Sequence, residues 1–248
     1  MKVAVLGAKG RMGTEAVAAI NAATDLTLSA ALDIGDSLEK LTQSGTEIVV
    51  DFTTPDSVMK NLEFAINNGI HVVVGTTGFD DNKLELLKKL LSKQPKVGAL
   101  IAPNFGLGAV LMMQFSQTAA KYFESAEIIE MHHANKIDAP SGTAVRTAEM
   151  ITNSRKASSK PNMPDATKTS LPGARGAKVG DVPVHSIRGH GYVAHQEVVF
   201  SDAGETLTIR HDSINRSGFM PGVLIGIRNV AKHPGLTVGL ENYMGGMK

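Results

Sequence analysis

Short apolar runs alternate with longer amphipathic segments along the first hundred residues. The apolar runs, which are rich in β-branched residues, predict strands at residues 3–6, 26–32, 48–51, 72–74 and 97–101. The segments between them carry apolar residues at helical spacing and predict helices at residues 11–22, 55–67 and 80–91. Alternating strands and helices are typical of a parallel sheet covered by helices on both faces. The first part of the chain is therefore predicted to be a Rossmann-like α/β domain.

The pattern changes after Asn104. It predicts a long helix at residues 105–123, a strand at 126–131, a helix near 143–152, antiparallel strands at 182–200 and 205–210, and a final helix at 219–230. Residues 153–181 are rich in Ser, Lys, Pro and Gly, so we interpret them as a long mobile loop, a kind of segment that often acts as a lid. This part is predicted to be a smaller α+β segment with a mixed or antiparallel sheet.

Composition and charge exclude several functional classes. Of the 248 residues, 42% are hydrophobic, which is ample for a buried core. Lys and Arg number 25 against 24 Asp and Glu, and this balance argues against a general nucleic-acid or acidic-membrane binder. Cysteine is absent, which excludes disulfides, thiolate metal sites and a cysteine nucleophile. No apolar run approaches the ~20 residues that span a bilayer, and no secretory leader is visible, so we expect a cytoplasmic protein.

A glycine-rich turn at residues 7–13, Gly-Ala-Lys-Gly-Arg-Met-Gly, joins the first predicted strand to the first predicted helix. Its G-x-x-G-x-x-G spacing is a variant of the dinucleotide-binding fingerprint. We expect Gly7 to allow a tight turn, Gly10 to let the backbone approach a pyrophosphate, and Gly13 to let the helix pack closely on the strand. The helix amino terminus then offers N–H groups to the phosphates. The alternative is an ordinary tight strand–helix turn.

Asp33 ends the second predicted strand, twenty residues after Gly13. A carboxylate there accepts hydrogen bonds from the ribose of NADH and repels the 2′-phosphate of NADPH. Lys9 and Arg11 lie in the phosphate turn and soften that discrimination. We therefore expect both nucleotides to be used, with no ranking between them.

Three further loops follow predicted parallel strands, at the sheet edge where ligands bind. In the first, Gly75 and the hydroxyls of Thr76 and Thr77 are candidates to approach a ribose or nicotinamide, and in the second, Asn104 is a candidate to bind a carboxamide. The third comprises residues 51–55, where Thr54 either caps the helix expected to begin at Pro55 or contacts the cofactor. Each loop has a purely structural alternative.

Residues 130–144 place two histidines, a lysine, a carboxylate and a predicted helix start within one short segment. Ser141 is a candidate N-cap, and the N–H groups of Gly142 and Thr143, with the Thr143 hydroxyl, are suited to hold a substrate carboxylate. His132, His133 and Lys136 add positive charge and proton donors. Delivery of hydride to a ring or imine carbon leaves negative charge that such a donor neutralises.

Two alternatives apply to this segment. It could be a structural loop, or its adjacent histidines could bind a metal. Neighbouring side chains on a strand point to opposite faces, and the nearby acids do not give the spacing of a zinc site, so we predict no metal. The remaining lone histidines are interpreted as surface or core residues: His71, His185, His195, His211 and His233.

Four motifs in this order resemble the 4-hydroxy-tetrahydrodipicolinate reductase family of the diaminopimelate route to lysine. They are residues 7–13, Gly-Thr-Thr-Gly at 75–78, Ala-Pro-Asn-Phe at 102–105, and His-His-Ala-Asn-Lys-Ile-Asp-Ala-Pro-Ser-Gly-Thr-Ala at 132–144. The resemblance covers essentially the whole chain. It implies that a cyclic dicarboxylate loses its 4-hydroxyl as water and receives hydride at C4 from NADH or NADPH.

The resemblance also implies roles for individual residues. His132 matches the family's proton donor and acceptor, and Lys136 matches its proton donor. His133, Gly142 and Thr143 match substrate-binding positions, to which we add Lys136 and the N-cap Ser141. The matching cofactor loops contain Gly7, Ala8, Lys9, Gly10, Arg11, Met12, Gly75, Thr76, Thr77, Ala102, Pro103, Asn104 and Phe105.

The family fold implies a dinucleotide-binding domain at residues 1–104 that is completed by a returning segment at 214–248. Residues 105–213 would form the substrate-binding and oligomerisation domain of a homotetramer. The chain departs from the family at two places. Ile34 and Gly35 follow Asp33 where the family has an arginine, which argues against a strong preference for NADPH. Residues 194–197 also differ in their order from the common family sequence, so we assign no role to His195.

Two other functions fit the residues. One is a different NAD(P)H-dependent reductase of an imine or oxo acid. The other is a non-catalytic NADH-sensing regulator, which would have no use for the His132–Lys136 cluster and, given the balanced charge, no surface for DNA.

Overall fold

The computed structural model describes residues 1–245 and divides into two compact units. The first unit contains residues 1–107 and the described residues from Arg216 onward, and the second contains Gly108–Asn215. No helix within residues 1–245 is long and apolar enough to cross a membrane.

The strands are β1 Lys2–Leu6, β2 Thr27–Leu32, β3 Ile48–Asp51, β4 His71–Val74, β5 Gly98–Ile101, β6 Ser125–His132, β7 Ala177–Val179, β8 Val182–Arg188, β9 Ala194–Asp202, β10 Glu205–Ser213 and β11 Gly235–Val238. The helices are α1 Arg11–Ala22, α2 Glu39–Gln43, α3 Val58–Asn67, α4 Asp81–Ser92, α5 Leu107–Ala119, α6 Gly142–Ala157 and α7 Met220–Val230. Two short 3₁₀ segments lie at Arg216–Phe219 and Leu240–Tyr243.

The first unit contains a six-stranded parallel sheet in the order β11-β5-β4-β3-β1-β2. Every residue of β3 and β5 is buried, because helices cover both faces of a parallel sheet. The amphipathic helix α3 buries Val58, Leu62, Ala65 and Ile66, which are spaced for one helical face. The Rossmann-like sheet predicted from the sequence is confirmed, with β11 as a strand that was not predicted.

The second unit contains a five-stranded sheet in the order β10-β9-β6-β8-β7. β6 pairs with β8 in parallel and with β9 antiparallel, so the sheet is mixed, as predicted. The predicted antiparallel pairing next to residues 205–210 is confirmed between β9 and β10, but residues 182–200 form two strands, β8 and β9, with β6 between them. Burial alternates along β6, and Ala126, Ile128 and Glu130 lie on its buried side.

Several predicted helix bounds were wrong. α3 begins at Val58 rather than Pro55, and Ser57 rather than Thr54 is its N-cap residue; the Thr54 hydroxyl instead lies 3.0 Å from that of Ser57. α5 is shorter at both ends than residues 105–123. α6 continues to Ala157, five residues into the predicted loop, because Arg155 there is buried and its Nη1 donates to Phe123 O at 2.8 Å.

The predicted loop was also wrong at residues 177–179, which form β7, whereas residues 158–176 contain no helix or strand and are bonded to their own unit. Lys160 Nζ donates to Tyr122 O at 2.7 Å, and Arg175 forms ion pairs with Glu127 on β6 and with Asp165. The lid function of this segment stays a prediction.

Candidate functional site

Gly7 and Gly13, the first and last glycines of the turn, have the surroundings that the sequence predicts. Gly7 has a φ of +74°, which favours glycine, and a Cβ there would lie 2.5 Å from Phe52 O. A Cβ on Gly13 would lie 2.0 Å from Gly7 O, so helix α1 packs against the turn at backbone distance. These contacts confirm the predicted tight turn and close helix packing.

The turn is fixed to the end of β2 by its backbone. The N–H groups of Gly7 and Ala8 both donate to Leu32 O, at 2.9 and 3.0 Å. The N–H of Lys9 donates to Asp33 Oδ2 at 2.7 Å. The Lys9 N–H, together with that of Ile34, holds the pKa of Asp33 below its usual range. Asp33 is therefore an ionised carboxylate directly beside the turn.

The remaining residues of the turn surround the start of α1. Lys9, Gly10 and Arg11 are exposed and Met12 is half-buried. Gly10 is the N-cap residue and makes no side-chain cap, so the first N–H groups of the helix depend on other acceptors. An exposed helix start with cationic residues beside it fits the phosphates of a dinucleotide.

A buried carboxylate in the third candidate loop, to which the sequence analysis gave no role of its own, lies at the end of β3. Asp51 is fully buried and its Oδ1 accepts from the hydroxyls of Thr53 and Thr76, both at 2.7 Å. Its Oδ2 accepts from Asn61 Nδ2 at 2.9 Å. The Thr76 hydroxyl is thus directed to Asp51, while Thr77 is exposed. The position of Asp51 at the end of an apolar strand was the only sequence signal.

Two aromatic rings, Phe52 after β3 and Phe105 after β5, pack against the loop that follows β4. Phe52 and Phe105 pack edge to face with centroids 5.9 Å apart, and a Cβ on Gly75 would lie 2.1 Å from the Phe52 ring. Ala102 is buried and its N–H donates to Val74 O, whereas the next residue, Pro103, is exposed.

Asn104 ends this loop half-buried, and its Oδ1 accepts from Gly106 N–H at 2.8 Å. Since β3, β4 and β5 are neighbours in the sheet, the loops at their carboxyl ends share one edge. That edge is where parallel sheets bind ligands.

In the second unit, His132 lies at the end of β6 and is held by an acidic side chain. Its Nδ1 lies 2.5 Å from Glu130 Oε2, and its side chain is 13% exposed. Burial lowers the pKa of His132, and the neighbouring Glu130 carboxylate opposes that shift. His133 lies just beyond the strand and is exposed. The two adjacent histidines therefore occupy different environments.

Lys136 and the start of α6 complete this group of predicted residues. Lys136 Nζ donates to Asp138 Oδ1 at 2.6 Å. Ser141 is the N-cap, as predicted, because its side chain accepts from Ala144 N at 3.2 Å. Gly142 is the first residue of the helix, and Thr143 follows half-buried. Within residues 1–245 no group of three or more His, Asp or Glu side chains could hold a metal ion.

Gly142 differs from Gly13 in its surroundings. A Cβ built on Gly142 would meet no atom within 4 Å, and its φ is not positive. Neither packing nor backbone conformation therefore requires glycine here. The open space beside Gly142 leaves room for an anion near the first turn of α6.

Arg188 on β8 is a second residue that sequence reasoning missed. Its Nη1 and Nη2 donate to the two oxygens of Glu130, both at 2.8 Å, and Nη2 also donates to Asp138 O at 2.7 Å. Arg188 is 58 residues from Glu130, and only the pairing of β6 with β8 brings them together. No local signal could have identified it.

Two family models match the sequence over almost its full length. One, described as dihydrodipicolinate reductase, N-terminus, covers residues 1–105. The other, described as dihydrodipicolinate reductase, C-terminus, covers residues 108–244. The chain belongs to the dihydrodipicolinate reductase family. The family predicted from the four sequence motifs is therefore confirmed.

Individual members of the dihydrodipicolinate reductase family align with nearly the whole chain. The chain is 59% identical to 4-hydroxy-tetrahydrodipicolinate reductase of Corynebacterium diphtheriae over 244 residues, which is 98% of each protein. It is 58% identical to the enzyme of the same name from Mycolicibacterium gilvum, over 98% of this chain and 99% of that one. A solved structure of dipicolinate-bound dihydrodipicolinate reductase from Paenisporosarcina sp. TG-14 is similar with a TM-score of 0.86 and 39% identity, over 98% of both chains.

Proposed function

We propose that this protein is a 4-hydroxy-tetrahydrodipicolinate reductase that acts in lysine biosynthesis. The reaction adds a hydride and a proton to 4-hydroxy-tetrahydrodipicolinate and releases its 4-hydroxyl as water, which gives tetrahydrodipicolinate. The observation that carries the proposal is the gathering of His132, Lys136 and the start of α6 on one segment of the second unit. The names of close relatives support the same activity.

The first unit is proposed to bind the nicotinamide nucleotide, which supplies the hydride when bound. The fit rests on the glycine turn, on the exposed start of α1, and on Asp33 fixed beside them. The backbone N–H groups of residues 10–12 would bind the pyrophosphate, and the Asp33 carboxylate would accept from the ribose. The loops at residues 75–77 and 102–105 would enclose the nicotinamide end.

The second unit is proposed to bind the cyclic dicarboxylate. Its carboxylates would be held by the N–H groups of Gly142 and Thr143 and by the cationic side chains of Lys136 and His133. The protonated Lys136, with His132 beside it, would supply the proton that the reduced ring requires. The N-cap bond of Ser141 fixes the first turn of α6 and thereby directs those N–H groups.

We propose that NADH and NADPH are both accepted. Asp33 favours the unmodified ribose, while Lys9 and Arg11 offer positive charge to a 2′-phosphate. Ile34 is fully exposed beside Asp33, where it provides no cation for that phosphate.

We further propose a homotetramer joined through the sheet of the second unit, working in the cytoplasm where reduced nicotinamide nucleotides are regenerated. β10 forms one edge of that sheet, and most of its residues are exposed, so surface is available for other copies. Sedimentation equilibrium of the purified protein tests the tetramer.

Steady-state oxidation of each reduced nucleotide, with substrate generated enzymatically in the same cuvette, tests the activity and the cofactor choice together. Turnover that depends on that substrate, and yields tetrahydrodipicolinate by mass spectrometry, is expected with both nucleotides. Nucleotide binding without turnover would favour the regulator, and turnover only with other imines or oxo acids would favour a different reductase.

A further inference from the structure

Glu130 is a fully buried carboxylate with both oxygens occupied. Oε1 accepts from Arg188 Nη2 at 2.8 Å and from the Ser141 N–H at 3.1 Å. Oε2 accepts from Arg188 Nη1 at 2.8 Å and lies 2.5 Å from His132 Nδ1. Burial raises the pKa of Glu130, but hydrogen bonds from Arg188, Ser186 and His132 outweigh this and leave the pKa below its ordinary value.

Three partners of Glu130 lead to groups that the proposed function uses in the second unit. One partner is His132 itself. A second is the N–H of Ser141, the residue that caps α6 immediately before Gly142. The third, Arg188, also donates to the carbonyl of Asp138, whose side chain bonds Lys136. One carboxylate therefore connects the proton donors and the helix start.

Stability alone is a weak explanation for this arrangement. Glu130 is fully buried and Arg188 is half-buried, so the pair carries a desolvation cost that its mutual attraction often fails to exceed, and apolar residues of similar volume are commonly as stable or more stable. The neighbouring residues on the buried side of β6 are apolar, namely Ala126 and Ile128. A charged pair at this position instead fixes the orientation of the side chains that it bonds and the distances between them.

We propose that Glu130 and Arg188 are positioning residues for the reduction: Glu130 orients the ring of His132 and the start of α6, and Arg188 holds the segment that carries Lys136. This inference rests on the proposed function. A carboxylate at Nδ1 selects the tautomer with a proton on Nδ1, which leaves Nε2 as the atom that exchanges a proton. Neither residue touches the substrate in this account.

Burial is the main cause that lowers the pKa of His132, and three charged groups that face His132 modify that shift. They are Glu130 on the same strand, Arg188 on the neighbouring strand β8, and Lys136 on the following loop. Glu130 favours the imidazolium, and the two cations oppose it. Replacing Glu130 by glutamine removes the only one of these charges that raises the pKa of His132, so that pKa should fall further.

The variant Glu130→Gln tests this with ¹⁵N-histidine NMR titration and steady-state kinetics. We expect a lower His132 pKa, a smaller population of the Nδ1–H tautomer, and a shifted pH profile with kcat reduced by about 100-fold. Nucleotide affinity should stay unchanged. Unchanged His132 signals and kcat would overturn the inference.

The chain offers a matched control on the same strand. Glu127 also lies beside a histidine and an arginine: its Oε2 is 2.7 Å from His185 Nε2, and Arg175 pairs with it. Glu127→Gln therefore removes the same charge from a similar cluster outside the proposed site. It should leave the titration of His132 and the kcat unchanged.

A second variant separates positioning from folding, because Glu130→Gln alone leaves the half-buried Arg188 without its carboxylate. The double variant Glu130→Gln/Arg188→Met removes both charges and keeps similar volume. We expect its thermal midpoint to approach that of the wild type while kcat stays low. Recovery of kcat together with stability would show a purely structural pair.

The failure of the proposed function is distinguishable from the failure of this inference. A wild-type protein without reductase turnover would refute the function, whereas the His132 titration in the two single variants would still report whether Glu130 orients that ring.

Discussion

Lys136 Nζ lies 2.6 Å from Oδ1 of Asp138, two residues further along the same segment. The hydrogen bond from Lys136 is the main cause that holds the pKa of Asp138 below its ordinary value, and the backbone N–H groups of Asp138 and Gly142 act in the same direction. A carboxylate of the protein itself therefore lies at the groups that we propose for the substrate carboxylates.

Asp138→Asn should bind pyridine-2,6-dicarboxylate more tightly, by up to about fivefold. The Asp138 side chain is 50% exposed, and an exposed ion pair of this kind is worth about 0–1 kcal/mol, which the ligand no longer has to displace. Isothermal titration calorimetry measures the change. The control is Asp165→Asn, which removes another exposed partner of a cation in the same unit. Weaker binding in Asp138→Asn would contradict the proposal that Asp138 and the ligand compete for Lys136.

Lys136→Ala should lower kcat by about 10²–10⁴-fold, because the side chain is proposed as the proton donor. Nucleotide affinity should change little, since the nucleotide is assigned to the first unit. Stopped-flow turnover and NADH fluorescence titration give the two quantities. Lys156→Ala, at an exposed position in the last turn of α6, is the matched control. Wild-type turnover in Lys136→Ala would show that Lys136 is not the proton donor.

Gly142→Val should weaken binding of a dicarboxylate inhibitor by about 10–100-fold, the usual effect of forcing extra methyl groups into an occupied space. The fold should tolerate it, because the space around Gly142 is open in the free protein. Gly218→Val, at another glycine with open space and no positive φ, serves as the control. Equal inhibitor affinity in both variants would refute the placement of the substrate at α6.

Asp33→Asn should raise kcat/KM for NADPH relative to NADH by about tenfold, because the repulsion between the Asp33 carboxylate and a 2′-phosphate is removed. The ratio of the two kcat/KM values is the measurement. Asp202→Asn removes an exposed carboxylate from the β9–β10 turn and should leave the ratio unchanged. If Asp33→Asn also left the ratio unchanged, the proposed contact between Asp33 and the ribose would be refuted.

Acid should destabilise the protein through His71. Burial lowers the pKa of His71 from its ordinary 6.5, so the unfolded chain binds more protons than the folded chain between the two values. Stability therefore falls as the pH decreases below about 6.5, by at most about 1.4 kcal/mol per pH unit for this group. In addition, His71 Nδ1 accepts from Gly98 N–H at 2.9 Å, which requires the neutral ring.

His71→Leu should be less stable at pH 7.5 by about 1–3 kcal/mol, because the Gly98 N–H loses its acceptor, and its stability should depend less on pH. Urea denaturation followed by circular dichroism between pH 5 and 7.5 measures both effects. His190→Leu changes an exposed histidine and should keep the wild-type slope. An identical slope in His71→Leu would assign the acid sensitivity to other groups.

The strongly periodic elements of the first unit were predictable from sequence. Helix α1 and strand β3 have the predicted bounds, because the apolar residues of α1 recur at helical spacing and β3 is a short continuous apolar run. Strand β11 was missed, since its four residues lack a clear pattern and are defined by pairing with β5. The end of α6 was missed because polar Ser154 and Arg155 are buried there by distant carbonyl acceptors.

The candidate site residues also divide into those that the sequence predicted and those that it did not. The glycine turn and the segment from His132 to Thr143 are local in sequence, so their chemistry can be read from spacing. The bonds of Asp51 to Thr76 and of Arg188 to Glu130 join residues that only the sheets bring near. Long-range hydrogen bonds of buried side chains leave no periodic trace in the sequence.

The pairing of β11 with β5 has a consequence for the order in which the chain matures on the ribosome. All strands of the second sheet have been synthesised by Ser213, whereas the first sheet lacks an edge strand until Gly235–Val238 emerges. The inserted unit can thus reach its native state during translation, before the sheet that encloses it in sequence is complete.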